Sequence, residues 1–313
     1  MIGRIGVGGL AALLAVAAFG ASGAVSGAAA PAGHQGFRDY NVPGAVTTEL
    51  VGINDRGMVC GKYWDTAGVG HVFIAAGSVI TTWNVPGVSG WTSISGCNDV
   101  GDVAGAYEDA SGVYHGYLRT ATGHFTYIND PQAGAMPNED QGTVPESLND
   151  NGVVGQYEDS QGVMHGFVYH NGRYTTVDIP GAMATGVWAE NDLGVMIGSY
   201  YDSVGAARGF IDFHGIIIPF NPPGAGDVAG AGTYASGISM NGVVVGTYYT
   251  ASAPTLSEGF IFKDGKFTAL SDPEAGDGAN EGTSPSAIAE DGSAIIGEYW
   301  DSVGNTHSFI LDL

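Results

Sequence analysis

Aspartate and histidine recur six residues apart in this chain, a spacing that could support acid–base chemistry or metal binding. Four pairs share it: Asp65/His71, Asp109/His115, Asp159/His165 and Asp301/His307. A fifth pair, Asp202 and Arg208, keeps the cation, whereas Thr250 and Glu258 replace both partners at the remaining position. Because both partners change together, we interpret the pairs as charge-assisted hydrogen bonds that pin a hairpin. A ring of metal or acid–base sites is the alternative.

Two glutamates are the candidate catalytic residues. Glu190 precedes an Asn-Asp turn, where the equivalent positions hold Ile53, Cys97, Leu148, Ile238 and Ile288. Burial at this position would raise the pKa of Glu190, which suits a general acid or base. A local shift of register that places Glu190 in solvent is the alternative. Glu146 is the second candidate acid–base group. Since no nucleophile elbow, His-Glu-x-x-His motif or phosphate-binding loop accompanies them, catalysis stays an open question.

Nine further residues are candidates for binding a ligand. Six of them lie just before the recurring aspartate or its replacement, in the series Trp64, Glu108, Glu158, Tyr201, Tyr249 and Trp300. Aromatic faces can stack on sugar rings, and carboxylates can accept hydrogen bonds from sugar hydroxyls. Trp91, Trp188 and Tyr234 would enrich the same face with aromatic groups. The series therefore indicates a site for a glycan or a cell-surface partner, and packing between repeats is the alternative.

These residues belong to a repeat that occurs six times and must position them. Each copy reads Asn-Asp-x-Gly, an apolar run, Gly-x-Tyr-x-Asp, a turn, His-Gly-Phe, and an apolar strand that ends in Pro, with variations. The last copy lacks its final strand, and a matching strand precedes the first copy at residues 37–43. Asn, Asp and Gly at the turns favour hairpins. The sequence therefore predicts an all-β, six-bladed β-propeller of four-stranded blades, closed by an N-terminal strand that completes the last blade.

The repeat also predicts where strands and loops lie. In the first copy, the first strand is expected to end just before Asn54 and the second to run through Val59 and Tyr63. The third strand is expected to start at Phe73, and the fourth to cover residues 80–83. Long connections are expected at residues 131–146, 223–236 and 273–286, on the face that carries the Asp/His hairpins. Binding sites favour such loops on a rigid scaffold.

Composition points to an exported protein. Residues 1–30 hold Arg4, an apolar stretch and a tail of small residues, which predicts a secretory signal peptide followed by a single domain at residues 31–313. The formal net charge of −23 disfavours nucleic acid and anionic lipid as partners. We therefore expect a secreted, extracellular monomer that binds neither nucleic acid nor membranes. It is expected to need no cofactor, although the Asp-rich turns could bind calcium weakly.

The two cysteines, Cys60 and Cys97, could form a disulfide after export. Their equivalents in other repeats are mostly aliphatic, such as Val154 and Ile197 for Cys60 and Leu148 for Cys97. This pattern is typical of ordinary packing positions, so buried free thiols are the favoured interpretation and a disulfide is the alternative.

A His-Gly-Phe motif at residues 165–167 recurs with variants at residues 71–73, 115–117 and 307–309. With it, the repeat resembles that of the bacterial secreted proteins described as HAF-repeat extracellular proteins, over nearly the whole chain after the first 36 residues. The resemblance implies export and a propeller-like fold, and it implies no particular reaction.

Overall fold

The computed structural model describes residues 36–88, 91–137 and 141–313, and the regular elements of these residues are all β-strands. The signal peptide expected at residues 1–30 lies outside the described residues. Across the described ranges, no helix has the length and apolar character needed to cross a membrane.

The 24 strands of the described residues pair into antiparallel units of four. Unit 1 comprises β2 (Thr47–Ile53), β3 (Val59–Trp64), β4 (Gly70–Ala76) and β5 (Val79–Trp83). Unit 2 comprises β6 (Gly96–Cys97), β7 (Val103–Glu108), β8 (Tyr114–Arg119) and β9 (Phe125–Ile128). Unit 3 comprises β10 (Gly142–Leu148), β11 (Val153–Glu158), β12 (Met164–His170) and β13 (Arg173–Val177).

The other three units follow the same order. Unit 4 comprises β14 (Ala184–Glu190), β15 (Val195–Tyr201), β16 (Ala207–Phe213) and β17 (Ile216–Phe220). Unit 5 comprises β18 (Gly232–Ile238), β19 (Val244–Tyr249), β20 (Glu258–Lys263) and β21 (Lys266–Leu270). Unit 6 comprises β22 (Gly282–Ile288), β23 (Ala294–Trp300), β24 (Thr306–Asp312) and β1 (Phe37–Asp39), which pairs with β24. The predicted all-β organisation in four-stranded sheets is confirmed.

Three of the expected loops are shorter than the sequence predicts. Glu146, Ser236 and Ser286 lie within β10, β18 and β22, which begin at Gly142, Gly232 and Gly282. These glycines have φ of 127°, 117° and 103°, a region open chiefly to glycine. Each also forms a parallel bridge to the third strand of the preceding unit or the residue just before it. The strands start earlier because these glycines and the residues after them pair antiparallel with the second strand of the same unit, as Gly142 does with Glu158. The third strand of unit 1 likewise begins at Gly70, three residues before Phe73.

The hydrophobic core lies between units rather than inside them. Each of six buried clusters among the described residues draws on two neighbouring units, and one of them joins unit 6 to unit 1. The third-strand aromatics are among the largest buried side chains, with exposures of 0 to 1%: Phe73, Tyr117, Phe167, Phe210, Phe260 and Phe309. A unit therefore buries its apolar faces only when both neighbours are present, as expected for repeats.

The Asn-Asp turns link neighbouring units at their inner ends. Asn54 Nδ2 donates to the backbone oxygen of Asn98 at 3.1 Å, and Asn191 Nδ2 donates to that of Ser239 at 3.0 Å. The aspartates add a second link, since Asp55 Oδ1 accepts the backbone N–H of Asp291 at 2.8 Å. The recurring Asn-Asp dipeptide is therefore a connection between units as well as a turn.

The Asp/His pairs form the cross-turn hydrogen bond that their spacing predicts. His Nε2 lies 3.0 to 3.4 Å from Asp Oδ2 in all four pairs, and Arg208 Nη2 lies 2.8 Å from Asp202 Oδ2. Oδ1 of the same aspartate accepts two backbone N–H groups of the turn, as Asp159 Oδ1 does from Gln161 and Val163. The histidine ring also stacks on the Gly-x-Tyr tyrosine, with centroids 4.7 to 5.2 Å apart. These contacts support the structural interpretation of the pairs.

We expect Asp159→Ala to lower the Tm by roughly 2 to 4 °C, because two backbone N–H groups of the turn lose their side-chain acceptor and His165 loses its partner Asp159. Asp227→Ala is the matched control, since the Asp227 side chain is 83% exposed and holds only an exposed contact with Arg208. It should change the Tm by less than about 1 °C. Equal Tm values for Asp159→Ala and the wild type, measured by calorimetry, would contradict the structural role of the Asp159/His165 pair.

Candidate functional site

A cleft of about 480 Å³ opens between units 1 and 2, and three tryptophans line it. Trp64 is the last residue of β3, Trp83 is the last residue of β5, and Trp91 lies in the connection that leads to unit 2. The structure thus brings Trp64 and Trp91 together, as the sequence interpretation requires, and adds Trp83, which that interpretation missed. We call this cleft A.

Neighbouring side chains contact each of the three tryptophans of cleft A. The guanidinium of Arg119 lies 4.7 Å from the ring centre of Trp83, and Lys62 Nζ lies 5.4 Å from that of Trp64. Trp91 meets Tyr114 edge to face at 5.6 Å, yet 46% of Trp91 is exposed. These contacts fix the rings while leaving the Trp91 face open to a ligand.

The charges of the polar groups around cleft A nearly cancel. Lys62 Nζ lies 2.8 Å from Glu49 Oε2, and His71 is paired with Asp65 at 3.1 Å. Asn84 and Thr92 complete the polar lining. Because each basic group has a carboxylate partner, the cleft favours an uncharged ligand with hydroxyl groups over an anion.

A second cleft of about 340 Å³, cleft B, lies between units 5 and 6. Tyr249 and Trp300, both final residues of their strands, line it together with Ser257 and Asn280. Ser257 Oγ donates to the Tyr249 hydroxyl at 3.4 Å. Cleft B therefore repeats the combination of aromatic rings and neutral polar groups at another boundary between units.

Tyr201 and Tyr234 extend the aromatic surface next to cleft B. Tyr234 meets Tyr249 edge to face at 5.7 Å. Burial is the largest cause that raises the pKa of Tyr234 above its usual value, and the adjacent Tyr201 raises this pKa further. The predicted aromatic arc is thus continuous from Tyr201 to Tyr249.

The remaining sequence candidates lie outside the two clefts. Glu108 ends β7, and its backbone N–H donates to the carbonyl of Trp91 at 3.1 Å, while Glu158 ends β11. Trp188 lies at the bulge between Val187 and Ala189 in the first strand of unit 4, and it lines neither cleft. Its indole Nε1 is buried and lacks a hydrogen-bond partner within the described residues.

Glu190 and Glu146 line a central cavity of about 80 Å³ that the first strands of the units enclose. Glu190 is buried, with 6% of its surface exposed, so the alternative in which it points into solvent is wrong. Its Oε2 lies 2.8 Å from His170 Nε2. Burial raises the pKa of Glu190, as the sequence predicts, and the neighbouring His170 opposes the rise.

Glu146 accepts a hydrogen bond from Gln156 Nε2 at 3.0 Å, and burial raises the pKa of Glu146 to about 8. Oε1 of Gln156 is buried without a partner among the described residues. A protonated Glu146 carboxyl could donate to this oxygen, so the geometry fits an uncharged acid. The cavity admits a few water molecules and is too small for a sugar ring.

Several carboxylates of the Asn-Asp turns also line the cavity, namely Asp55, Asp99, Asp150, Asp192 and Glu290. Even so, no group of three or more His, Cys, Asp or Glu side chains within the described ranges is placed to hold a metal ion. Weak binding of calcium at the Asp-rich turns therefore stays a prediction.

No protein-family model matches the chain, and no curated protein matches its sequence. Among solved structures, it is similar to a triple arginine-to-alanine mutant of AofleA from Arthrobotrys oligospora, with a TM-score of 0.52 and 12% identity over 88% of this chain and 86% of that chain. It is also similar to an Aleuria aurantia lectin mutant in complex with alpha-methyl-L-fucoside, with a TM-score of 0.47 and 10% identity over 84% of this chain and 91% of that chain. A third similar structure is the BP39L lectin from Burkholderia pseudomallei, with a TM-score of 0.44 and 12% identity over 87% of this chain and 84% of that chain. At such identities, the likeness to AofleA concerns the fold alone.

Sequence reasoning missed the polar lining of both clefts. Lys62 and Asn84 in cleft A, and Ser257 and Asn280 in cleft B, occupy different positions of the repeat. The one signal available was Trp83, an aromatic at the end of a fourth strand that faces the next unit.

Proposed function

We propose that the six units are the blades of a closed six-bladed propeller, with residues 37–43 as the last strand of blade 6. One recurring hydrogen bond supports closure. A residue two or three positions after a fourth strand donates its backbone N–H to a threonine of the next unit, as Asp130 does to Thr143 at 2.8 Å and Asp272 does to Thr283 at 2.9 Å. Val42 makes the same bond to Thr48 at 3.0 Å, which joins blade 6 to blade 1.

The chain is, in this proposal, an exported monomer of the HAF-repeat type that binds a neutral glycan without catalysis. One observation carries the function: three of the five tryptophans line cleft A. Flat aromatic faces bind the apolar faces of sugar rings, and nearby amide and hydroxyl groups can pair with sugar hydroxyls. The paired charges of Lys62 and His71 favour neutral over acidic sugars. The lectin structures similar to this chain accord with this function, although the clefts alone support it.

The test is a glycan array followed by calorimetry with the best neutral oligosaccharide. Trp91→Ala should raise the Kd at least about tenfold, because an exposed aromatic wall of cleft A is removed. Tyr127→Ala is a matched control: Tyr127 is also 46% exposed and also makes one edge-to-face contact, but it lies outside cleft A. An array with no neutral glycan bound, or equal Kd values for the two variants, would refute the role of cleft A.

An extracellular lyase or hydrolase is the second candidate function. The observation that favours it is that Glu190, hydrogen-bonded to His170, and the acid Glu146 line one cavity. Its substrate would have to present a small group to this cavity from the mouth. Screening the wild type beside Glu190→Gln against polysaccharides tests this function, since a loss of turnover in the variant alone would establish it.

A further inference from the structure

Cys60 and Cys97 lie side by side across the boundary between units 1 and 2. They are the only two cysteines of the sequence, with exposures of 0% and 6%, and both belong to the same buried cluster. In this structure both cysteines are buried free thiols, as the sequence pattern favours. The Cys97 thiol neighbours the Cys60 thiol and also lies 3.9 Å from the backbone oxygen of Met58. A Cβ at Gly52 would lie 2.7 Å from Cys60 Sγ and 3.2 Å from the Cys97 nitrogen, so this glycine leaves the two cysteines room to approach.

The repeat shows that the two positions form a pair at other boundaries. The position of Cys60 in one unit and that of Cys97 in the next share a hydrophobic cluster four more times, as Ala104 with Leu148, Ile197 with Ile238, Val245 with Ile288, and Ile296 with Ile53. Cys60 and Cys97 therefore occupy the two positions of one such contact. Alignment of single repeats identifies each cysteine as a packing position, and the contact between the two positions lies between units.

We propose that Cys60 and Cys97 form a disulfide that joins units 1 and 2 when the chain folds in an oxidising environment. The bond lies below cleft A, since Cys60 precedes Lys62 and Trp64 on β3. It links the two walls of that cleft through the cluster beneath it.

The chemistry is exchange with a low-molecular-weight disulfide. One cysteine thiolate attacks a sulfur of the oxidant, forming a mixed disulfide and releasing one thiolate. The second cysteine thiolate then attacks the protein sulfur of the mixed disulfide and releases the other half of the oxidant. Two protein thiols are oxidised, one small disulfide is reduced, and the two protons pass to the two small thiols that leave.

Folding is the stage at which the bond forms. Burial raises the pKa of the Cys60 thiol well above its usual value in the folded chain, and solvent does not reach its sulfur. The reactive thiolate is therefore scarce once units 1 and 2 have packed.

The experiment refolds the reduced full chain with equal concentrations of reduced and oxidised glutathione, and in parallel with reductant alone. Free thiols are then alkylated in denaturant and counted by intact mass, and the Tm of each sample is measured without reductant. The oxidised sample should show no free thiol, should remain monomeric, and should melt roughly 5 to 10 °C above the reduced one.

Cys60→Ala and Cys97→Ile are matched controls, because other units place Ala104 and Ile53 at these positions. Each single variant should keep its one thiol, and its Tm should not respond to glutathione. Two free thiols in the refolded wild type would overturn the proposal. A disulfide found only in dimers, or one that lowers the Tm, would overturn it as well.

Discussion

Deletion of residues 37–43 is expected to lower the Tm by roughly 10 °C or more, because the segment closes the contact between units 6 and 1. Its strand pairs with β24, where Phe37 lies opposite Leu311 and meets Phe309 at 5.1 Å. Val42, only 5% exposed, packs in the cluster that joins units 6 and 1. Loss of these apolar contacts costs about 5 kcal/mol, and β24 is left with an unpaired edge.

Two single variants test whether buried side chains of this segment, and not only its backbone pairing, stabilise the protein. Val42→Ala should lower the Tm by several degrees, because a buried side chain is truncated. Val46→Ala, four residues later, should leave the Tm unchanged, since Val46 is 68% exposed. If the deletion variant has the same Tm as the wild type, the proposed closure is wrong.

Glu146→Gln is expected to stabilise the protein at pH 9 and to leave it nearly unchanged at pH 5. Burial raises the pKa of Glu146 from 4.5 to about 8, so between these values the unfolded chain loses a proton that the folded chain keeps. The wild type therefore loses stability as pH rises, by about 1.4 kcal/mol per pH unit for this group. Glutamine does not titrate, and its amide can donate to the unpaired Gln156 oxygen, so the variant escapes this loss.

Glu290 and Glu298 act in the same direction. Burial raises the pKa of each to about 8, with further contributions from Asp192 and Glu49 respectively. The Glu146→Gln variant should thus still melt at a lower temperature at pH 9 than at pH 5, although the difference should be smaller than in the wild type. Denaturant unfolding of wild type, Glu146→Gln and the exposed Glu274→Gln at both pH values checks this. Parallel pH dependences for the wild type and Glu146→Gln would contradict the burial of Glu146 as an uncharged acid.

The repeat alone predicted much of the architecture. Gly-x-Tyr, the Asp/His spacing and the Asn-Asp turns describe contacts within one hairpin, and such contacts follow from local chain geometry. The Asp159 turn and its histidine were predictable for this reason, as was the burial of Glu190, which occupies an apolar position. The pairing of residues 37–39 with β24 also followed, because a missing strand at one end matched an extra strand at the other.

The contacts between units were decided by the tertiary structure. Cleft A joins Trp64, Trp83 and Trp91 from three positions of the repeat. The meeting of Cys60 with Cys97 likewise depends on how one unit packs on the next. The repeat shows which residues a unit shares with its copies. It does not show which side chains of adjacent units meet, because the twist and spacing of the packed sheets set those distances.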